Sequence, residues 1–213
     1  MFEVAFAFSP LNTFAVDNPF VPARPQNAAD IFRRLNREVW IVTAQHGTAR
    51  GGLVATFVSQ ASLPVDWPRV MVGVAVHHHT WELIDKSEAF GLHLITEKQV
   101  DWAWNFGLSS GKNRDKLQGL NCGVRASGSP ILWDAAAWMD CRVEQRMETG
   151  DRTIFLGEVL DASPAPTTPV LTAPRLFELA TPEQLQQLQT SWEADSFTDA
   201  QAIEQWRAKQ AKK

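Results

Sequence analysis

The sequence has no tyrosine and only two cysteines among its 213 residues. Cys122 and Cys141 are too few for a disulfide framework, and their spacing matches no metal-binding motif. We therefore expect buried, reduced thiols in a cytoplasmic protein. The aromatic residues are 12 phenylalanines and nine tryptophans. They offer ample surface for a core or for stacking, but by themselves they identify no ligand.

Long apolar runs and strong net charge are also lacking. No apolar run approaches the roughly 20 residues that a membrane-spanning helix needs. The opening residues, MFEVAFAFSP, lack the basic segment and cleavage site of a secretory signal. The net charge of −4 gives no general attraction to nucleic acid or to anionic membranes, so neither is expected as a partner. The composition is that of a globular protein with one domain, or one domain with an appendage.

The first 30 residues are rich in proline, which predicts an extended N-terminal lead-in over residues 1–30. The four prolines are Pro10, Pro19, Pro22 and Pro25. From Ala28 a short segment, AADIFRRLN, places Ile31, Phe32 and Leu35 on one face of a predicted helix.

A series of β-branched and aromatic runs follows and predicts strands. These runs are residues 39–45, 53–63, 69–76, 89–95, 135–148 and 152–162. The third run is apolar enough to be buried on both faces, and the last two form a hairpin. Two short helices are predicted between strands, one starting at Thr80 as its N-cap and one over residues 97–108. Many strands with few helices favour a barrel over a doubly wound sheet.

The C-terminal part changes to a helical pattern after the proline-rich SPAPTTP. Thr181, Pro182 and Glu183 supply a cap residue, a proline at the first helical position and an acid in the first turn. A second helix is predicted from about Thr198. The predicted organisation is therefore a barrel domain over residues 31–172 and a helical extension over residues 173–213.

The second strand carries GLVATFVSQAS, residues 52–62. It resembles the G-M-T-A-S-W-V-S-Q-A-S motif of the flavin reductase-like, FMN-binding split-barrel family, and is similar to the flavin reductase domain of flavodiiron proteins. Further segments follow in the family's order, from about residue 39 to residue 161. They are VMVGVAV, SEAFGLHL, NRDKLQGL, GSPIL and GDRTIFLGEV.

The resemblance implies a mainly β fold with some helices, a six-stranded Greek-key split β-barrel that is usually a homodimer with flavin at the subunit interface. It also implies reduction of flavin by NADH or NADPH, with FMN as the flavin and FAD as the alternative. The second strand is then the first candidate for flavin contact, through backbone groups and the ring of Phe57. The candidate residues are Ala55, Thr56, Phe57, Val58, Ser59 and Ser62.

The alternative for this strand is an ordinary half-buried strand in which Thr56, Ser59 and Ser62 cap turns. The family's threonine is also replaced by Val54 here, which would remove one hydrogen bond worth on the order of 1 kcal/mol if that hydroxyl contacts flavin.

His77, His78 and His79 admit three interpretations. In an extended chain His77 and His79 could share a metal ion, but no third ligand stands at a recognisable spacing. They could also be solvated loop residues. The interpretation we prefer places His78, His79 and Thr80 at the flavin phosphate, because a helix start favours an anion. We then expect FMN affinity to fall as pH rises through the titration range of His78 or His79.

Two arginines complete the candidate site. Arg114, within NRDK, is a second phosphate candidate, with a surface ion pair as the alternative. Arg152 stands where relatives commonly have a histidine associated with the nicotinamide nucleotide. Arginine could bind a pyrophosphate or a 2′-phosphate, or could be a solvated cation of the hairpin turn. This departure, with the helical extension, leaves a second function open: an FMN-binding electron-transfer or partner-docked protein without a free nicotinamide site.

Overall fold

The computed structural model describes residues 25–112 and 114–212. The chain divides into two units, Met1–Leu35 and Asn36–Lys213. In the first unit, helix α1 spans Pro25–Arg33. Residues 25–30 of the predicted extended lead-in are therefore helical, since proline is tolerated in the first turn. The rest of that lead-in lies outside the described residues.

The second unit contains nine strands and four α-helices within its described residues. The strands are β1 (Trp40–His46), β2 (Ala49–Ala55), β3 (Val58–Gln60), β4 (Arg69–Ala75), β5 (Ala89–Leu94), β6 (Cys122–Val124), β7 (Pro130–Leu132), β8 (Ala137–Glu148) and β9 (Arg152–Ala162). The helices are α2 (His79–Ser87), α3 (Val100–Gly107), α4 (Ala173–Glu178) and α5 (Pro182–Gln210), and a 3-10 turn (Glu97–Gln99) precedes α3. Among the described helices, none is both long and apolar enough to cross a membrane.

Seven strands form one antiparallel sheet in the order β2-β1-β5-β8-β9-β4-β3. β2 and β3 stand at opposite ends of this order, yet only Thr56 and Phe57 separate them along the chain. The sheet must therefore curl until its two edges meet at this break. Counted as one bent strand, β2 and β3 make the six strands of the predicted split barrel, and the predicted fold class is confirmed.

Alternation along β1 divides the apolar residues between two cores. Val42 and Ala44 belong to the first core, with Phe90 and Phe155. Ile41 belongs to the second core, which α3 and α4 help to cover.

His93 of β5 is fully buried and joins the sheet to the small β6–β7 ribbon. Its Nδ1 lies 3.0 Å from the Ile41 carbonyl, and its Nε2 lies 3.0 Å from the backbone nitrogen of Leu132. This arrangement suits a neutral ring that donates from Nδ1 and accepts at Nε2. Burial lowers the pKa of His93 to about 4.

Several local predictions were wrong. The second strand begins at Ala49, because the turn uses Gly47 and Thr48, and it breaks at Thr56 instead of running through to residue 63. The third strand is buried on both faces only from Val72 to Ala75, since Arg69 and Met71 of β4 are exposed. The short strands β6 and β7 had no prediction.

The C-terminal extension also differs from its prediction. Thr181 caps α5 as expected, with a capping box completed by Gln184. However, α5 continues without interruption to Gln210, so no new helix starts at Thr198. The short helix α4 was not predicted.

Candidate functional site

The break between β2 and β3 exposes the ring of Phe57 at the surface of the barrel. Ala55 is buried at the end of β2, and Thr56 and Val58 are half-buried. The Phe57 carbonyl accepts a hydrogen bond of 2.9 Å from the Gly73 N–H, which ties the break to β4. The Phe57 side chain remains 48% exposed. The break therefore presents an aromatic ring from a backbone that is held in place.

Two guanidinium groups stand over this ring. The Cζ atom of Arg152 lies 4.9 Å from the ring centroid, and that of Arg37 lies 5.4 Å from it. Cations at such distances are attracted to an aromatic face. The result is an exposed aromatic ring with positive charge over it.

Ser62 has a structural role in the loop between β3 and β4. Its hydroxyl donates to the Trp67 carbonyl at 2.5 Å and accepts from the Arg69 N–H at 2.9 Å. Val58, Ser59 and Ser62 all line an apolar cavity of about 710 Å³ that also includes Trp40. Val54 packs with the second core, so a hydroxyl at this position would face α3.

The histidine run follows β4 directly, and the chain turns there instead of staying extended. The His78 N–H bonds to the Ala75 carbonyl, and His78 is the N-cap of α2. The expectation that Thr80 is the N-cap was therefore wrong: Thr80 is a buried residue inside the first turn. The turn also changes the pairing, because the rings of His77 and His78 lie together with centroids 4.4 Å apart.

His79 contributes to a second cavity, of about 600 Å³, at the start of α2. The lining residues include three cations and two acids: Arg50, Lys112 and Arg114, with Glu82 and Asp115. Arg50 pairs with Asp115 at 2.6 Å and Lys112 pairs with Glu82 at 2.6 Å. The Nδ1 atom of His79 is buried without a hydrogen-bond partner among the described residues.

Arg114 is held by neutral groups. Its guanidinium donates to the Asn105 side-chain oxygen at 2.5 Å and to the Ser109 hydroxyl at 3.0 Å. Asp115, its neighbour in NRDK, pairs with Arg50 instead. The contacts found among the described residues therefore leave the cavity with one positive charge in excess.

Lys116 holds this loop against the barrel and was missed by sequence reasoning. Its ammonium group is buried and donates to the carbonyls of Gly52 at 3.0 Å and Phe106 at 2.8 Å. Burial lowers the pKa of Lys116 to about 8. A lysine within a charged surface motif gives no sequence signal for such a buried role.

Helix α5 lies across the hairpin turn that carries Arg152. The Arg152 guanidinium pairs with Asp199 of α5 at 2.8 Å and with Asp151 at 3.1 Å. His77 faces the same helix, with its Nε2 3.1 Å from Asp195. Arg152 is therefore not the solvated turn cation of the alternative interpretation, and Asp199 of α5, which contacts it, had no sequence signal.

Burial shifts the pKa values of two groups where α5 meets the barrel. Burial, followed by the charge of His77, lowers the pKa of His78 to about 4. Burial also raises the pKa of Asp199. Because His78 is already neutral above about pH 5, a loss of FMN affinity with rising pH in the neutral range cannot come from this residue.

The structure thus places most of the predicted site residues in three groups and leaves His78 outside them. His79 and Arg114 line the cationic cavity, and Arg152 contacts the ring of Phe57 beside the strand break. Val58, Ser59 and Ser62 line the apolar cavity. His78 lines neither of these two cavities and lies with His77 instead.

Comparison with known proteins gives a family match over most of the chain. The family model described as a flavin reductase like domain matches residues 32–177. Diflavin flavoprotein A 1 of Synechocystis sp. is 32% identical over 127 residues, which are 59% of this chain and 22% of the relative. The reductase subunit HsaB of a flavin-dependent monooxygenase of Mycobacterium tuberculosis is 28% identical over 153 residues, 72% of this chain and 78% of the relative.

A solved structure agrees in fold. The flavin reductase domain protein of Arthrobacter sp. FB24 superposes with a TM-score of 0.61 at 21% identity, covering 68% of this chain and 88% of that one. The chain spans between 20% and 55% of the length of the first curated relatives it matches. Helix α5 begins after the end of the family match. The matched barrel, its order of motifs and its fold place this chain in the flavin reductase-like family.

Proposed function

We propose that this chain binds FMN and catalyses its reduction by NADH or NADPH, as a homodimer. The observation that carries the proposal is the cationic cavity at the start of α2 in a flavin reductase-like barrel. FAD is the alternative flavin.

The cavity has the charge and donors that a phosphate needs. His79 and Arg114 line it, and His79 is the first residue of α2, where backbone N–H groups lack partners within the helix. Arg114 offers planar, charge-assisted donors without a carboxylate among its described contacts. A volume of about 600 Å³ lies within the range of small-molecule sites.

Under the same proposal, the strand break supplies the surface for the flavin ring. Under this proposal Ala55, Thr56 and Val58 offer backbone groups, and the exposed ring of Phe57 offers apolar contact. When bound, the two cofactors supply the hydride chemistry themselves. The chain binds and orients them, and we assign no side chain as a general acid or base. Arg152 is the candidate contact for the phosphates of the nicotinamide nucleotide.

A second candidate function is favoured by one specific observation, the contact between α5 and Arg152. Asp199 already pairs with the Arg152 guanidinium, which a nucleotide phosphate would otherwise bind. If α5 stays in place, the chain is an FMN-binding electron-transfer protein without a free nicotinamide site.

The proposed homodimer is supported by exposed apolar side chains in the loop between β3 and β4. Leu63 is 89% exposed, Val65 90% and Trp67 66%. Clustered exposure of this kind is typical of a protein interface.

Flavin binding is tested by titrating purified, flavin-free protein with FMN and following flavin fluorescence. Loss of one charge-assisted hydrogen bond costs about 1.5–3 kcal/mol, so Arg114→Ala and Lys112→Ala should each weaken binding about ten- to a hundredfold. Lys86→Ala is the matched control, because Lys86 is an exposed lysine in the last turn of α2 and does not line the cavity. Equal affinities in all three variants would refute the phosphate assignment.

Reduction is tested by mixing the FMN-loaded protein anaerobically with NADH or NADPH. Bleaching of the flavin absorbance supports the oxidoreductase, and Arg152→Ala should then raise KM for the nucleotide more than it lowers kcat. No bleaching by either nucleotide at saturating concentration excludes the reductase and leaves the electron-transfer protein.

A further inference from the structure

Three potential metal ligands meet where α5 crosses the end of β4. One ligand atom from each of His77, His78 and Asp195 lies within 4.8 Å of the other two. His77 Nε2 is 3.1 Å from the Asp195 carboxylate, although the two residues are 118 positions apart in the chain. The sequence pattern had indicated His77 with His79 and no acid, so this group exists only through the turn after β4 and the docking of α5.

A polar mismatch beside the group points to a ligand. His77 Nδ1 and Asp199 Oδ1 are both buried without a hydrogen-bond partner among the described residues, and they lie 3.5 Å apart. A neutral imidazole has one N–H, and the ring of His77 faces a carboxylate at each nitrogen. If Nε2 donates to Asp195, then Nδ1 and Asp199 confront each other as two acceptors. A cation held by Nε2 and Asp195 leaves the proton on Nδ1, where it can be donated to Asp199.

The charges around the group are also unbalanced. Three acids, Asp151, Asp195 and Asp199, lie at this contact with one guanidinium, that of Arg152, which pairs with Asp151 and Asp199. Asp195 has its ion-pair contact with His77. Among these groups the excess is two negative charges, which is the charge that a divalent cation neutralises.

We propose that His77, His78 and Asp195 bind one divalent transition-metal ion of the zinc type and thereby fasten α5 to the barrel. Two imidazoles and one carboxylate are a typical donor set for such ions, and water completes the fourth position. Asp199 accepts from His77 Nδ1–H and orients the ring, as carboxylates commonly do behind a metal-bound histidine. The site does not depend on flavin binding, because the cationic cavity uses His79 and Arg114.

The experiment uses the full chain without an affinity tag, stripped with a chelator and titrated with Co²⁺. We expect one bound ion per chain with the visible absorption bands of four-coordinate cobalt, and displacement of Co²⁺ by Zn²⁺. His77→Ala and Asp195→Asn should weaken binding at least tenfold, and Asp199→Asn about tenfold, within the range known for groups behind a metal ligand. His46→Ala, a change at an exposed histidine at the end of β1, should leave binding unchanged.

The wild-type protein also provides a readout that needs no variant. Zn²⁺ should raise Tm, since a ligand that binds the native state stabilises it, and should slow hydrogen exchange in α5. Absence of stoichiometric binding overturns the proposal, as does equal loss in His46→Ala and His77→Ala. An unchanged Tm and unchanged exchange in α5 on addition of Zn²⁺ also overturn it.

Discussion

Replacing Gly150 with alanine should release α5 from the hairpin turn while the barrel stays folded. Gly150 has a φ of +98°, and a Cβ atom added there would lie 2.7 Å from the Trp206 Cβ and 3.0 Å from the Ala202 carbonyl oxygen. Neither of these atoms belongs to the flexible end of a side chain. The collision is therefore relieved only when α5 and the hairpin turn move apart.

The expected cost has two parts. Alanine in the left-handed region costs roughly 1–2 kcal/mol, and overpacking of this kind adds about 1–3 kcal/mol. Gly119 is the matched control, because it has a φ of +80° and nothing within 4 Å of an added Cβ. Gly119→Ala should carry the first cost alone, so the difference between the variants isolates the contact with α5.

We expect α5 to give way before the barrel does. Over its described length no side chain of α5 is fully buried, whereas the barrel has a continuous core. Hydrogen exchange should accelerate across Pro182–Gln210 in Gly150→Ala and remain unchanged there in Gly119→Ala. If α5 covers the nucleotide site, Gly150→Ala should also speed flavin bleaching by NADH or NADPH.

Urea denaturation of the two variants and of the wild type measures the free energies of unfolding. If the two variants lose the same free energy of unfolding and show the same hydrogen exchange in α5, the reasoning is refuted. The contact between Gly150 and Trp206 would then contribute nothing to the docking of α5.

Two further predictions concern acid stability and assembly. Because burial lowers the pKa of His93 from 6.5 to about 4, the unfolded chain binds more protons between these values and stability falls as pH drops through this window. The loss of unfolding free energy is about 3 kcal/mol at most, at 1.36 kcal/mol per pKa unit. His93→Gln should reduce the difference in unfolding free energy between pH 7 and pH 5, as measured by urea titration. An unchanged difference would contradict the role given to His93. Val65→Asp should shift the proposed homodimer toward monomer in light scattering while Lys86→Ala does not, and a wild type that is monomeric at all concentrations would exclude the dimer.

The barrel and the family resemblance could be predicted from the sequence alone. Alternation in β1 and the apolar run of β4 are local patterns, so they predicted strands before any packing was known. The same holds for the Thr181 cap of α5, which depends on residues within one turn of each other. The order of short motifs further predicted the fold, because it resembles that of a known family.

Other features depended on contacts between distant parts of the chain. The break at Thr56 arises because the two edges of a curled sheet must meet, which no local pattern records. His79 and Arg114 were both predicted, but only folding placed them in one cavity with Arg50. The acids that face Arg152 and His77 come from one face of a mostly exposed helix, where Asp195 and Asp199 resemble any solvated charge. Whether such residues bind a ligand is decided by what they meet across the fold, and only the tertiary structure brings those groups together.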